Sequence, residues 1–333
     1  MKKLLKGITS ACLLSSTFAM ASEPPQVVVS IKPIHSLVSG VMEGVATPEL
    51  IIKNGSPHGY TMRPSEAKSL TEADLVVWVG HDLESFLEKP LQTVAENAQK
   101  LTLSETLSDS LLTARSGGNW EAHEHHHGEH DADHDEEGHH DEEGHHDEDG
   151  HHDEEGHHDE HESAMDLHIW LSPEVAQKIV TETTEKLVEI DPDHASQYRS
   201  NSTKLITKLT ALDADLSKQL TPVKEKPYIV FHAAYQYFEK SYNLNAIGSV
   251  TIDPERTPGA KKITEVRAKI EDLNAQCVFS EPQFQSSLVA TVIEDTNAKT
   301  GVLDPLGSNV EPGTEAYFTI MNNLATGLTD CLK

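Results

Sequence analysis

The strongest constraint on this chain's fold is a central stretch that cannot join any hydrophobic core. Residues 121–162 hold fifteen of the twenty-one histidines and twenty aspartates or glutamates, with no lysine or arginine. From His134 onward the stretch is a hexapeptide repeat. It reads HDEEGH, then HHDEEG from His139, HHDEDG from His145, HHDEEG from His151 and HHDEH from His157. It has no aromatic or branched aliphatic side chain to bury, a glycine every sixth residue, and strong self-repulsion. Disorder is the expectation. Any core must come from the flanking segments. A plain acidic spacer needs no histidine, whereas imidazoles interleaved with carboxylates are what a borderline divalent metal such as zinc binds. The paired His139, His140, His145, His146, His151, His152, His157 and His158 are therefore candidate ligands of an auxiliary metal loop over 116–163, either a collector of ions or a sensor of their abundance.

The amino terminus has the three regions of a secretory signal. Lys2, Lys3 and Lys6 precede an apolar run over about 8–18, and Ala19-Met20-Ala21 offers a cleavage site before Ser22. The run is too short to span a bilayer. The expectation is a signal peptide over 1–21 and an exported, soluble mature chain. That chain keeps two cysteines, Cys277 and Cys331, which in an oxidising compartment most simply form one disulfide. The tract supplies most of the formal charge of −29. Such a surface attracts cations and repels nucleic acid and anionic lipid, so no nucleic-acid partner is expected.

On both sides of the tract, short apolar runs alternate with amphipathic segments. Strand-like runs fall at 27–34, 49–53 and 74–80, then at 228–232, 245–249, 277–280 and 301–303. Continuous apolar strands separated by helices suggest parallel sheets covered on both faces. The fold class expected is α/β, with two Rossmann-like lobes at 22–190 and 222–333. Between them Ser172-Pro173 starts one helix and Asp191-Pro192 interrupts it. Tyr198, Leu205, Leu209, Leu212, Leu216 and Leu220 then mark one face of a long linker helix over 191–221.

Six histidines lie outside the tract. Three of them, His58 in NGSPHGY, His168 in MDLHIWLSP and His232 in YIVFH, sit where a strand gives way to a loop or helix, as does Asp304 in GVLDPLG. Loops at the carboxyl ends of parallel strands are where α/β proteins build their sites. Two histidines from one lobe facing a histidine and an aspartate from the other would enclose a cation. Spacing alone leaves that open, because a single histidine is more often a satisfied structural residue. His35, His81 and His194 read as structural or solvent-facing. Glu281 at the end of a strand is a candidate to hydrogen-bond a ligand, and Tyr60 a candidate to pack beside the metal.

With those motifs in order, the chain resembles the periplasmic metal-binding proteins of ABC transporters, in the zinc-uptake, ZnuA-like branch. The resemblance rests on SPHGYTMRPSE from Ser56, ADLVVWVG from Ala73, DLHIWLSPE from Asp166, FHAAYQYFEK from Phe231, FSEPQF from Phe279 and LDPLG from Leu303. It implies zinc as cargo, periplasmic location, ligands at His58, His168 and His232, and delivery to an inner-membrane ABC permease. A periplasmic zinc-donor accessory protein and a monomeric state are further implied expectations. In related branches a carboxylate at the position of Asp304 completes the shell. Some zinc members use a glutamate beside the first histidine, or a water. Here Pro57 precedes His58, which favours Asp304.

Three imidazoles make a nitrogen-rich site, for which zinc outranks manganese in intrinsic affinity. Manganese or iron delivery is the alternative within this class, and a zinc-buffering protein whose working element is the tract is another. A zinc hydrolase would also use three histidines, but it normally carries a general base in a motif such as HExxH, and none occurs outside the tract. The expectation is a binding protein and not an enzyme.

Overall fold

The computed structural model describes residues 23–115, 120, 164–251, 254, 259–284 and 286–333. The signal segment over 1–21, and the tract with its eight paired histidines, lie outside the described residues. The first sheet contains β1 (Val27–Ile31), β2 (Glu49–Ile52), β3 (Leu75–Trp78) and β4 (Gln99–Thr102), ordered β2-β1-β3-β4 and parallel throughout. Every residue of β1 and β3 is buried, as expected for apolar runs with both faces covered. Between and beyond these strands come α1 (Lys32–Val41), α2 (Pro64–Glu72), α3 (Glu88–Thr93) and α4 (Leu103–Thr106).

A short antiparallel pair, β5 (Leu112–Thr113) and β6 (Met165–Asp166), brackets the tract. Two long helices follow: α5 (Pro173–Ile190) and α6 (Ala195–Leu220). The Ser172 hydroxyl accepts from Val175 N at 3.3 Å, capping α5, and Pro173 occupies the first turn. All six residues of the predicted α6 stripe are buried. The helix is no bare rod. It packs on α5 and α1, and Gly40 of α1 lies so close to Leu205 that an added Cβ would come within 2.8 Å of Leu205 Cδ2.

The second sheet, ordered β10-β9-β7-β8, is also parallel. Its strands are β7 (Tyr228–Val230), β8 (Ala246–Ser249), β9 (Cys277–Ser280) and β10 (Lys299–Val302). The accompanying helices are α7 (Gln236–Tyr242), α8 (Ala260–Asp272), α9 (Ser286–Ile293) and α10 (Ala316–Leu332). Cys277 and Cys331 form the expected disulfide, tying β9 to the end of α10. The α/β class with two parallel-sheet lobes is as read from the sequence. Among the described residues no helix is long and apolar enough to cross a membrane.

One element differs from the sequence reading, and another was not part of it. The first apolar run was expected to stay extended to residue 34, but α1 begins at Lys32 with Pro33 in its first turn. A proline there loses no hydrogen bond and presets the helical φ. The other is α10, which packs on α1 and α6 as well as on β10. It bolts the lobes together: Ser36 Oγ donates to Thr314 O and accepts from Tyr317 N, and Tyr317 OH donates to Trp170 O. Beside it, buried Lys32 donates to Gly307 O at 2.5 Å. Gly307 has φ +67°, and a Cβ there would strike Ile320 of α10.

Glu84 is fully buried and accepts from Val79 N and Gly80 N. Burial pushes its carboxyl up from 4.5 to about 7, against those amides and the Ser30 hydroxyl, which pull it down. Because the folded value lies above the unfolded one, this contribution is full below about pH 4.5 and is lost as pH rises through 7. Glu84→Gln keeps an acceptor for both amides. It should melt higher than the parent at pH 8, by up to about 3 kcal/mol of stability, and lose that advantage at pH 5. The Cys277→Ser/Cys331→Ser double variant should unfold in denaturant with about 2–4 kcal/mol less stability, and dithiothreitol should no longer affect it.

Candidate metal centre

The three candidate histidines arrive from three different places in the fold. His58 lies in the 3-10 turn Pro57–Gly59 after β2, where the Ser56 hydroxyl accepts from His58 N at 3.3 Å. His168 follows β6 and caps the turn Ile169–Leu171. His232 lies just beyond β7. Their ring centroids are 5.3 to 5.7 Å apart, and one nitrogen from each lies within 4.8 Å of the others. In a tetrahedral zinc shell with Zn–N near 2.0–2.1 Å, neighbouring nitrogens would be about 3.3 Å apart, so small side-chain movements suffice to close it.

Two of the rings are held by buried carboxylates. His168 Nδ1 donates to Asp166 Oδ1 at 2.8 Å, and the same oxygen accepts from His168 N at 3.0 Å. His232 Nδ1 donates to Glu281 Oε1 at 2.7 Å. Both acids are buried. A ring that gives its Nδ1 proton to a carboxylate presents Nε2 with its lone pair, the form that binds a metal. Among the described residues His232 Nε2 is buried without a hydrogen-bond partner, consistent with an atom kept for a ligand. Asp166 in turn is tied down by its carbonyl, which accepts from Tyr237 OH at 2.8 Å across the lobes.

The cavity around the rings is small. About 10 Å³ remains in which the centre of a water-sized sphere can sit, enough for one small ion or water. Trp170 forms one wall, its indole pinned by Nε1 donating to Pro305 O at 2.9 Å. Phe284, Pro305, Leu306, Glu281 and Gln283 form much of the rest.

Asp304 is not brought into this cluster. Its Oδ1 accepts from Gln283 Nε2 at 2.6 Å, Leu306 N at 3.2 Å and Gly307 N at 2.8 Å, and its Oδ2 from Ser308 N at 2.6 Å. The carboxylate folds back onto its own loop because three consecutive amides there offer it a nest. Among the described residues the group able to share a metal is His58, His168 and His232.

The other candidates fall outside the cavity, apart from Glu281. His35 is buried with its ring against Pro48 O, His81 faces Glu88 at the surface, and His194 meets Asp191. Tyr60 donates to Glu66 and packs on Phe86. The sequence reading missed Asp166 and Gln283 as site residues. The D-x-H spacing in DLHIWL was the available signal for Asp166; none marked Gln283.

Two parallel α/β lobes closing on a largely enclosed three-histidine cluster define a cleft-type binding protein with the donor set of a transition-metal site. The family described as "Zinc-uptake complex component A periplasmic" matches residues 27–331, and this chain belongs to it. High-affinity zinc uptake system protein ZnuA of Brucella suis is 44% identical over 99% of this chain and 100% of its own length. That of Yersinia pestis is 36% identical over 98% of this chain and 96% of its own. A crystal structure of ZnuA superposes with TM-score 0.71 at 21% identity, covering 93% of this chain and all of that one. A zinc-bound deletion mutant of ZnuA gives 0.68, also at 21%, over 93% and 98%. These likenesses show the shared fold.

Glu281→Ala should weaken divalent-metal binding at the cluster by about 10- to 100-fold by calorimetry, since His232 would lose the group that fixes its tautomer. Glu281→Gln should recover part of that loss, because its carbonyl can still accept from Nδ1.

Proposed function

We propose that this chain captures Zn²⁺ in the periplasm at His58, His168 and His232 and delivers it to the inner-membrane permease of an ABC transporter. The observation that carries the reading is the convergence of these three imidazoles in a cavity sized for one ion, two of them oriented by buried carboxylates. Family membership supports zinc uptake as the setting. Three nitrogen donors support zinc over manganese.

Binding without catalysis is the favoured reading. The two carboxylates nearest the rings, Asp166 and Glu281, are committed to histidine Nδ1 protons and so are poorly placed as general bases. The paired histidines of the tract serve, in this proposal, as weak auxiliary collectors that pass zinc to the cluster. A periplasmic zinc-donor protein is a further proposed partner, and the chain acts as a monomer.

Calorimetry on the mature protein, with and without 121–162, tests the assignment. One tight site should survive the deletion while weaker sites vanish. His168→Ala or His232→Ala should lower the tight-site affinity by more than the roughly hundredfold that loss of an outer partner costs. Loss of the tight site on deleting the tract would refute the assignment.

A further inference from the structure

Gln283 occupies an odd position: it lines the three-histidine cavity, yet its amide is anchored outside it. An ionised carboxylate accepts hydrogen bonds and cannot donate them, so Asp304 Oδ1 at 2.6 Å must face the NH₂ half of the amide. The carbonyl half is thereby fixed as well. Gln283 Oε1 is buried with no hydrogen-bond partner among the described residues. It is an acceptor beside a cavity whose other polar lining residues are Ser56, the three histidines and Glu281.

Resting on the zinc-binding reading above, we propose that Gln283 determines what fills the fourth coordination position. Its Oε1 accepts a hydrogen bond from a metal-bound water and disfavours anions there. Asp304 is then a positioning residue: it acts on the cation through Gln283, and the loop amides that hold its carboxylate keep that orientation fixed. The consequence is chemical. Three neutral imidazoles and a neutral water leave the full charge on the ion and leave one exchangeable donor, through which an incoming ligand can take the metal. A bound anion would neutralise part of that charge and block the exchange.

The test uses the full mature protein loaded with one equivalent of Co²⁺, whose visible spectrum reports coordination number and exogenous ligands. Sodium azide is the probe anion. Azide should bind Gln283→Leu at least tenfold more tightly than the parent. Asp304→Asn should fall between them, because an asparagine can face either half of the Gln283 amide. With azide present, zinc loss to a chelator should be several-fold slower in Gln283→Leu than in the parent. Equal azide affinity in parent, Gln283→Leu and Asp304→Asn would overturn the inference while leaving the three-histidine site intact. If Gln283→Leu fails to fold by circular dichroism, Asp304→Asn decides alone: parent-like azide binding overturns the inference, and tighter binding supports it. Failure of the parent protein to bind Co²⁺ or Zn²⁺, or a spectrum unchanged by His168→Ala, would sink the zinc-site reading itself.

Discussion

Two buried hydrogen bonds, Asp166 to His168 and Glu281 to His232, give the three-histidine cluster its chemical identity. Without them each imidazole could present either nitrogen, rotate, or take a proton from its neighbours' field. With them, His168 and His232 donate from Nδ1 and offer the Nε2 lone pair inward. The desolvated carboxylates are not wasted charge: each meets a ring proton, which is the condition under which buried polar groups are tolerated. A site built this way is organised before the ion arrives, so little of the binding energy goes into ordering ligands.

That organisation relies on how the lobes are joined. Trp170 Nε1 to Pro305 O, Tyr317 OH to Trp170 O, Lys32 to Gly307 O and Tyr237 OH to Asp166 O all cross between segments flanking the cluster. The loop from Asp304 to Ser308 is thus held against the first lobe although it issues from the second sheet. Pro305 and Leu306 of that loop form part of the cavity wall. His232, Glu281 and Gln283 sit on the sheet side of this junction, so the Gln283–Asp304 bond joins the parts of the second lobe that meet at the ion.

Much of this was legible in the sequence, for identifiable reasons. Continuous runs such as VVVSI and LVVW announce parallel strands because both faces are covered, and the Leu205–Leu209–Leu212–Leu216–Leu220 spacing announces α6. His58, His168 and His232 stood out because each lies at or just past the carboxyl end of a strand-like run, where α/β folds build their sites, and because the motifs around them carry the family resemblance. Less visible was α1, whose apolar start imitates a continuing strand until Pro33 is read as a helix-start signal. The Asp304 expectation failed for a different reason. An aspartate before Pro-Leu-Gly-Ser serves equally well as a metal ligand or as the acceptor for three loop amides, and only the backbone geometry separates these. Gln283 was invisible because its role depends on which half of an amide faces a carboxylate distant in sequence.

The same junction bears on how the tract can work. Its last histidine, His161, stands seven residues before His168, and β6 carries Asp166 between them. Seven residues span at most about 25 Å when fully extended. An ion that bound near the end of the tract would stay within that reach of His168, at an effective concentration in the millimolar range. Covalent tethering alone would then raise its encounter rate with the three rings. Retention must be left to the rings, because a repeat of exchangeable imidazole–carboxylate groups that held zinc as tightly as the oriented cluster would compete with it.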